Sequence, residues 1–348
     1  MRQTFEHYAV DPGTWRDARR LTNVTGCTIQ RDPTLETLGK ATIDVADELL
    51  DECYVRSYLV AEQGRSRERV PLGTHIVQTP SSSFDGAVTT ATMDAYTPLL
   101  ELKEKRPPLG YSILKGANVM DEAYLICRSA MRAPVVRAPD EKALFRDFVA
   151  NVNDTWATFV RDLVANARME LDMDETGRLI FSPVQELAAL QPVWTYTDDN
   201  SSILYPSISR TRDLYGLPNV VEVVYSNGTD YFEARVVNDD SASPTSTVNR
   251  GREISYRDTS PSLSGTPTKG MVEYYALDLL EKLSAVEYEL SYSHGYCPVR
   301  VGDCVRLDYR RAGLSGVKAE VTYQSISCSG SCKVTEKAVY SSKYWRRP

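Results

Sequence analysis

Ala41-Thr42-Ile43-Asp44-Val45 alternates apolar and polar side chains, the period of a half-buried strand. The run from Cys53 to Glu62 reads the same way, with Cys53, Val55, Leu59 and Ala61 on one face. Val70, Leu72 and Ile76 repeat the pattern after the charged turn Glu62-Gln63-Gly64-Arg65-Ser66-Arg67. A further strand is predicted over Phe84 to Tyr96, behind the turn-like Pro80-Ser81-Ser82-Ser83. Short strands at this spacing, separated by turn signals, predict a sandwich or barrel over residues 1–105.

The pattern changes over residues 106–185, after Arg106-Pro107-Pro108-Leu109-Gly110. Asn118 reads as a helix cap with Asp121 three positions on, and Met120, Tyr124, Cys127 and Met131 follow at helical spacing. A second helix is predicted to start near Asp140, with Leu144, Phe145, Phe148 and Val149 on one side. A third carries Trp156, Phe159, Val160, Leu163 and Val164. A hairpin follows, with Asp174-Glu175-Thr176-Gly177 at its turn. These elements form an inserted α+β domain.

Residues 186–348 return to strands. Asn219 to Tyr225 is a strong strand, followed by the turn dipeptide Asn227-Gly228 and a return strand from Tyr231 to Val237. Residues 239–267, rich in Ser, Thr, Pro and Asp, read as a long loop or arm. Thr266-Pro267 opens a helix with Val272, Ala276, Leu279 and Leu283 on its face. Val301, Val305, Leu307 and Tyr309 then alternate with polar residues, and so do Val317, Ala319, Val321 and Tyr323. The last strand predicts one face on a core and one on solvent or a neighbouring subunit. The fold class is therefore mainly β, α+β overall. The expected layout is a first β domain at 1–105, the α+β insertion at 106–185, and a second β domain at 186–226 plus 285–348. A hairpin, arm and helix excursion occupies 227–284.

Composition narrows the function classes. The 40 basic and 47 acidic side chains among 348 residues leave a net charge of −7, which argues against sequence-specific nucleic-acid binding. Residues 301–348 are locally basic, with nine Lys/Arg against four Asp/Glu, and read as a solvated edge. No apolar run reaches the roughly 18 residues of a membrane span. The start, Met1 to His7, lacks the apolar core of a secretory signal. Tyrosine outnumbers phenylalanine 21 to 7, a balance that suits strands and wet interfaces.

No catalytic, cofactor or metal residue is expected. His7, His75 and His294 are far apart and read as surface or locally satisfied side chains. Asp172-Met173-Asp174-Glu175-Thr176-Gly177 has the opening of a calcium loop but lacks its closing glutamate, so it reads as a turn. Asp198-Asp199 and Asp239-Asp240 read as solvated loop charges, because adjacent residues on an extended chain point apart. Seven cysteines are an odd number for a disulfide scaffold. Cys27, Cys53 and Cys127 read as buried thiols. Cys297, Cys304, Cys328 and Cys332 have the wrong spacing for a zinc ribbon. They are the candidate disulfide residues, in a protein that works in an oxidising medium.

The order of elements resembles the baseplate hub proteins of tailed bacteriophages, whose fold is shared with the hub part of contractile secretion spikes. Three stretches carry the resemblance: the strand introduced by Asn219, the helix Ala276-Leu277-Asp278-Leu279-Leu280-Glu281-Lys282-Leu283, and Pro298-Val299-Arg300-Val301-Gly302-Asp303-Cys304-Val305 leading into the final hairpin. The four late cysteines depart from the family's pattern. The resemblance implies two tail-tube-like domains per chain and a homotrimer that presents six similar units. Such a ring joins a sixfold tail tube to a threefold spike or central fibre and encloses the tail channel. The implied partners are further copies of the chain, a tail tube or distal tail protein, a spike or fibre protein, and a tape measure protein. The implied location is the virion, at the tail tip. The hydroxyl-rich stretch at Thr89, Thr90 and Thr92 fits a channel wall, a wet interface or one solvated strand face.

Two other classes are carried as alternatives. A tail-associated peptidoglycan hydrolase needs a module for which the layout leaves few residues. A carbohydrate-binding host-recognition module would use exposed aromatics such as Trp194, Tyr196 and Tyr205.

Overall fold

Strict alternation builds the first sheet. The computed structural model describes residues 2–47, 50–200, 202–261, 263 and 267–346. Seven strands open the chain: β1 (Arg2–Val10), β2 (Asp17–Leu21), β3 (Val24–Arg31), β4 (Gly39–Ala46), β5 (Tyr54–Gln63), β6 (Ser66–Phe84) and β7 (Thr89–Tyr96). Ala41, Ile43 and Val45 of β4 and Ala91, Met93 and Ala95 of β7 point inward, as period-2 patterning requires. Their core also takes Leu59, Leu72 and Val77.

One boundary differs from the sequence expectation. Pro80-Ser81-Ser82-Ser83 is not a turn but the second half of the 19-residue β6. The strand pairs with β5 only up to Ile76 and with β7 from Ile76 onward. Pro80, which has no N–H to donate, therefore sits where one edge of β6 has lost its neighbour. The turn lies at Asp85–Val88 instead. The Asp85 carboxylate accepts from the amides of Ala87 and Val88, both at 2.9 Å, and Gly86 takes φ +100°.

The inserted segment holds α1 (Leu100–Glu104), β8 (Ser112–Ile113), α2 (Val119–Ala130), β9 (Phe148–Val149), α3 (Trp156–Ala165), β10 (Met169–Met173) and β11 (Leu179–Pro183). The Asn118 side chain caps α2 by accepting from the Asp121 amide, as expected. Phe159, Val160, Leu163 and Val164 of α3 are buried against Met120, Ala123 and Cys127 of α2. The helix predicted near Asp140 does not form. The Asp140 side chain accepts from the Lys142 amide, and the backbone of Lys142 and Leu144 bonds to Val119, Gly116 and Ala117. The Leu144 amide and the Lys142 and Leu144 carbonyls are thus paired across the loop rather than along a helix. Phe145 consequently lies 67 % exposed.

The remaining elements are β12 (Trp194–Thr197), β13 (Leu204–Arg212), β14 (Val220–Ser226), β15 (Tyr231–Val237), α4 (Thr247–Arg250), β16 (Ser255–Asp258), α5 (Lys269–Leu283), β17 (Val286–Gly295), β18 (Cys304–Tyr309), β19 (Leu314–Ser327) and β20 (Lys333–Ser342). The chain divides into two compact units. One runs to Ser207 and takes up Tyr292–Lys337; the other is Ile208–Ser291 with the chain from Ala338 onward.

In the first unit the early and late strands share a sheet. Antiparallel pairing sets Ile29 of β3 against Ile326 of β19. Within this unit the strand order is β20-β19-β3-β4-β7-β6-β5-β1-β2, with β18 on β19 and β12 on β18. The class is mainly β with an α+β insertion, and this strand path is open at both ends rather than a closed barrel. On β19 the inward phase changes: Ala319 and Val321 are buried as predicted, but Gln324 and Ile326 follow in place of Tyr323.

In the second unit, β15-β14-β16 form a three-stranded sheet covered by α5. Val221, Val223 and Ala234 meet Val272, Ala276 and Leu280. The third fully buried position of α5 is Leu280, and Leu279 packs partly buried against the same cluster. Thr268 caps α5; the start predicted at Thr266 lies outside the described residues. The stretch read as an arm is more ordered than expected. It contains α4 and β16, and β16 pairs in parallel with β14.

Candidate functional site

Inward polar residues on two strands create the least expected cluster. On β17, Tyr292 and His294 continue the buried face of Val286, Tyr288 and Leu290. On β20, Glu336 lies between the buried Val334 and Ala338. His294 Nε2 is 3.2 Å from Glu336 Oε2, with both side chains fully buried. The Tyr196 hydroxyl donates to Glu336 at 3.0 Å and lies 3.1 Å from His294 Nε2 and 3.3 Å from Cys297 Sγ. Gln324 Nε2 donates to Glu336 Oε1 at 2.5 Å and to the Val299 carbonyl at 2.8 Å.

Electrostatics make this an ion pair. Burial alone lowers the His294 pKa, but hydrogen bonding to Cys297 and Glu336 and the Glu336 charge hold it up to about 10. Burial raises Glu336, yet the bond from His294 keeps its carboxyl below the usual carboxylate range. Burial, then the Glu336 charge, pushes the Tyr196 phenol up.

Cys297, His294 and Glu336 have the residue types of a nucleophilic relay. Cys297 Sγ is 3.7 Å from His294 Nδ1. A relay needs an acyl or other electrophile beside the sulfur, and here Cys297 is 4 % exposed and His294 not at all. The cluster is built to hold strands together. Of the two readings offered by the sequence, surface or locally satisfied, His294 takes the second: it lies inside β17 with its ring nitrogens partnered. The other two histidines are also buried, at 5 % for His7 and 4 % for His75. Burial lowers His7 to about 4, and burial with the Arg31 charge lowers His75 to about 3.

The Asp172–Gly177 turn is a docking point. An open groove of about 600 Å³ is bounded by the β10–β11 hairpin, Arg31 and Arg300. Arg300 pairs with Asp172 at 2.9 Å and Glu175 at 3.1 Å, and Arg31 pairs with Glu175 at 3.2 Å. Arg56 Nη2 and Trp15 Nε1 both donate to the Thr176 carbonyl at 2.8 Å. Gly177 adopts φ +77°, and a Cβ there would lie 2.7 Å from Thr74 Cβ. The carboxylates that suggested a cation loop are turned to arginines. Burial raises Asp172 despite Arg300, whereas hydrogen bonds from Arg178 and Thr176 bring Asp174 down against its own burial.

A third feature is a polar sheet face. Thr90, Thr92 and Asp94 of β7 point outward beside Ser81 and Ser83 of β6. Thr92 donates to Asp44 at 2.7 Å, and Thr90 lies 3.2 Å from Ser83 Oγ.

The other sequence-picked residues scatter. Asp198 forms an exposed pair with Arg311 at 3.4 Å, and Asp240 accepts from the Ala242 amide. Of the three aromatics, Tyr196 is buried, Trp194 half-buried and Tyr205 exposed, so they do not present one sugar platform. All seven cysteines are thiols in the structure. Cys297 belongs to the His294 cluster and Cys304 begins β18. Cys328 and Cys332 share a core cluster with Cys27, which the sequence did not join to them.

No family model matches the sequence, and no curated protein matches it at a significant level. Solved structures do. A tail protein from Neisseria meningitidis MC58 superposes with a TM-score of 0.64 at 11 % identity, over 97 % of this chain and 96 % of that one. The 43 kDa tail protein of prophage MuSo2 from Shewanella oneidensis gives 0.64 at 10 % identity, over 97 % and 98 %. The chain has the fold of phage tail proteins. An E. coli protein described as a type VI secretion component with structural similarity to the T4 tail proteins gp27 and gp5 also matches. Its TM-score is 0.52 at 12 % identity, over 100 % of this chain and 79 % of that one. The tail-protein fold therefore extends over nearly every residue, including the α+β insertion.

Proposed function

We propose that the protein is a structural component of a phage-type tail, a homotrimeric hub at the baseplate or tail tip. The observation that carries this reading is the end-to-end match to two tail proteins. Each copy contributes two tube-like β domains, residues 1–105 and residues 186–212 with 285–348, so three copies imitate a sixfold collar; β14, which the sequence assigned to the second of these, pairs instead with β15 and β16 under α5. Its partners are the tail tube or distal tail protein above, a spike or central fibre below, and the tape measure protein within. The hydroxyl-rich face of β6 and β7 suits a water-lined channel wall or a wet subunit contact. The role is mechanical rather than enzymatic: the one nucleophile–base–acid cluster described above is sealed inside the sheet.

Native mass spectrometry with electron microscopy of the purified chain tests the reading. The expected result is a ring with three times the 39.0 kDa mass of one chain. A monomer that persists at high concentration overturns it.

A further inference from the structure

Strands β3 and β19 run antiparallel, and their last registered pair before the β19 turn is Thr28 opposite Ser327. The next step places Cys27 opposite Cys328, where the Cys328 N–H donates to the Cys27 carbonyl at 2.8 Å. Directly opposed residues on antiparallel strands have Cα atoms about 4.5–5.5 Å apart, inside the roughly 4.4–6.8 Å span that a disulfide bridges. Both side chains enter the same core cluster, 4 % and 5 % exposed, and the nearby Cys27 thiol together with burial pushes the Cys328 thiol up. Cys332 is the third thiol of that cluster, but its N–H is turned to the Gln3 side chain at 2.9 Å.

We propose that Cys27 and Cys328 are a disulfide site, closed when the folded protein meets a small-molecule disulfide. Cys328 loses its proton, and the thiolate attacks one sulfur of the oxidant and expels a thiolate. Cys27, deprotonated in turn, attacks the Cys328 sulfur of the mixed disulfide and expels the second thiolate. Two S–H bonds are lost, one S–S bond forms, and the oxidant leaves as two thiols. The bond staples an early strand of the chain to a late one, at the place where they meet in the sheet. This inference stands apart from the tail reading, because it rests only on the register of two strands. Because both sulfurs are buried, the oxidant reaches Cys328 only when the β3–β19 pairing opens transiently, so closure is slow at neutral pH and faster as pH rises.

The experiment uses the full chain, incubated with oxidised glutathione at pH 8, denatured, alkylated and digested with trypsin without reduction. Cleavage after Arg20, Arg31, Lys318 and Lys333 puts Cys27 in peptide 21–31 and both late cysteines in peptide 319–333. The expected product is peptide 21–31 joined to peptide 319–333, two hydrogens lighter than their sum. It persists in Cys332→Ser and disappears in Cys328→Ser. The unfolding midpoint of the oxidised wild type rises by several degrees and falls back with reductant. An internal Cys328–Cys332 loop with alkylated Cys27 overturns the assignment, and so do three alkylated thiols after oxidation.

Discussion

Glu336 and His294 compete with water and lose access to it entirely, so each depends on the other. Removing one partner of such a pair leaves a buried charge behind, at a cost of about 3–5 kcal/mol. Glu336→Gln should therefore lower stability by about that amount in urea unfolding. The pair also fixes the pH profile. His294 has its folded pKa raised to about 10 from 6.5, so its contribution is full below pH 6.5 and drains away as pH climbs through 10. Glu336 is shifted down, so its contribution is full above 4.5 and is lost as pH falls through its lowered value. His7 and His75, held neutral by burial, add a loss as pH falls below 6.5. Stability should peak near pH 6.5, and the alkaline limb should fall by about 1.4 kcal/mol per pH unit until pH 10. In Glu336→Gln that limb should flatten, because His294 no longer has a carboxylate to hold its proton.

At the scale of elements, the β10–β11 hairpin shows what a sequence can and cannot convey. Its turn was legible, since Asp-x-x-Gly needs a residue that accepts positive φ. Its docking was not, because Arg31, Arg56 and Arg300 reach it from sequence positions more than a hundred residues away. Gly177→Ala sets a methyl against Thr74 and forces an alanine into the left-handed region. It should cost about 1–3 kcal/mol in denaturant unfolding, whereas the same change at Gly228, where a Cβ meets nothing, should cost only the backbone part.

The same limit explains the other departures. The strand pattern of β4 and the periodicity of α3 are local, and both appeared as read. The segment after Asp140 had helical spacing, yet its backbone found partners in the loop before α2. Nothing local could say that Gln324 would face inward. For Glu336 a signal did exist: it occupies an inward register between Val334 and Ala338, a place where a carboxylate survives only with a partner. Naming that partner as His294 required the fold.

For the whole molecule, the question is whether one chain is the folding unit. Both ends of the strand path are open, and an exposed edge invites another chain. β13 ends the path, exposed at most positions. If the folded state is a trimer that unfolds to three chains, mass action ties its stability to concentration. A tenfold rise in chain concentration multiplies the trimer's advantage by one hundred, about 2.7 kcal/mol per trimer or roughly 0.9 kcal/mol per chain. With an unfolding entropy of about 2 cal/mol/K per residue, the midpoint should rise by roughly 1 °C for each tenfold step. Calorimetry over a hundredfold range of concentration reads this directly. A midpoint that stays fixed across that range would mean each chain folds alone, which would count against the proposed trimeric collar.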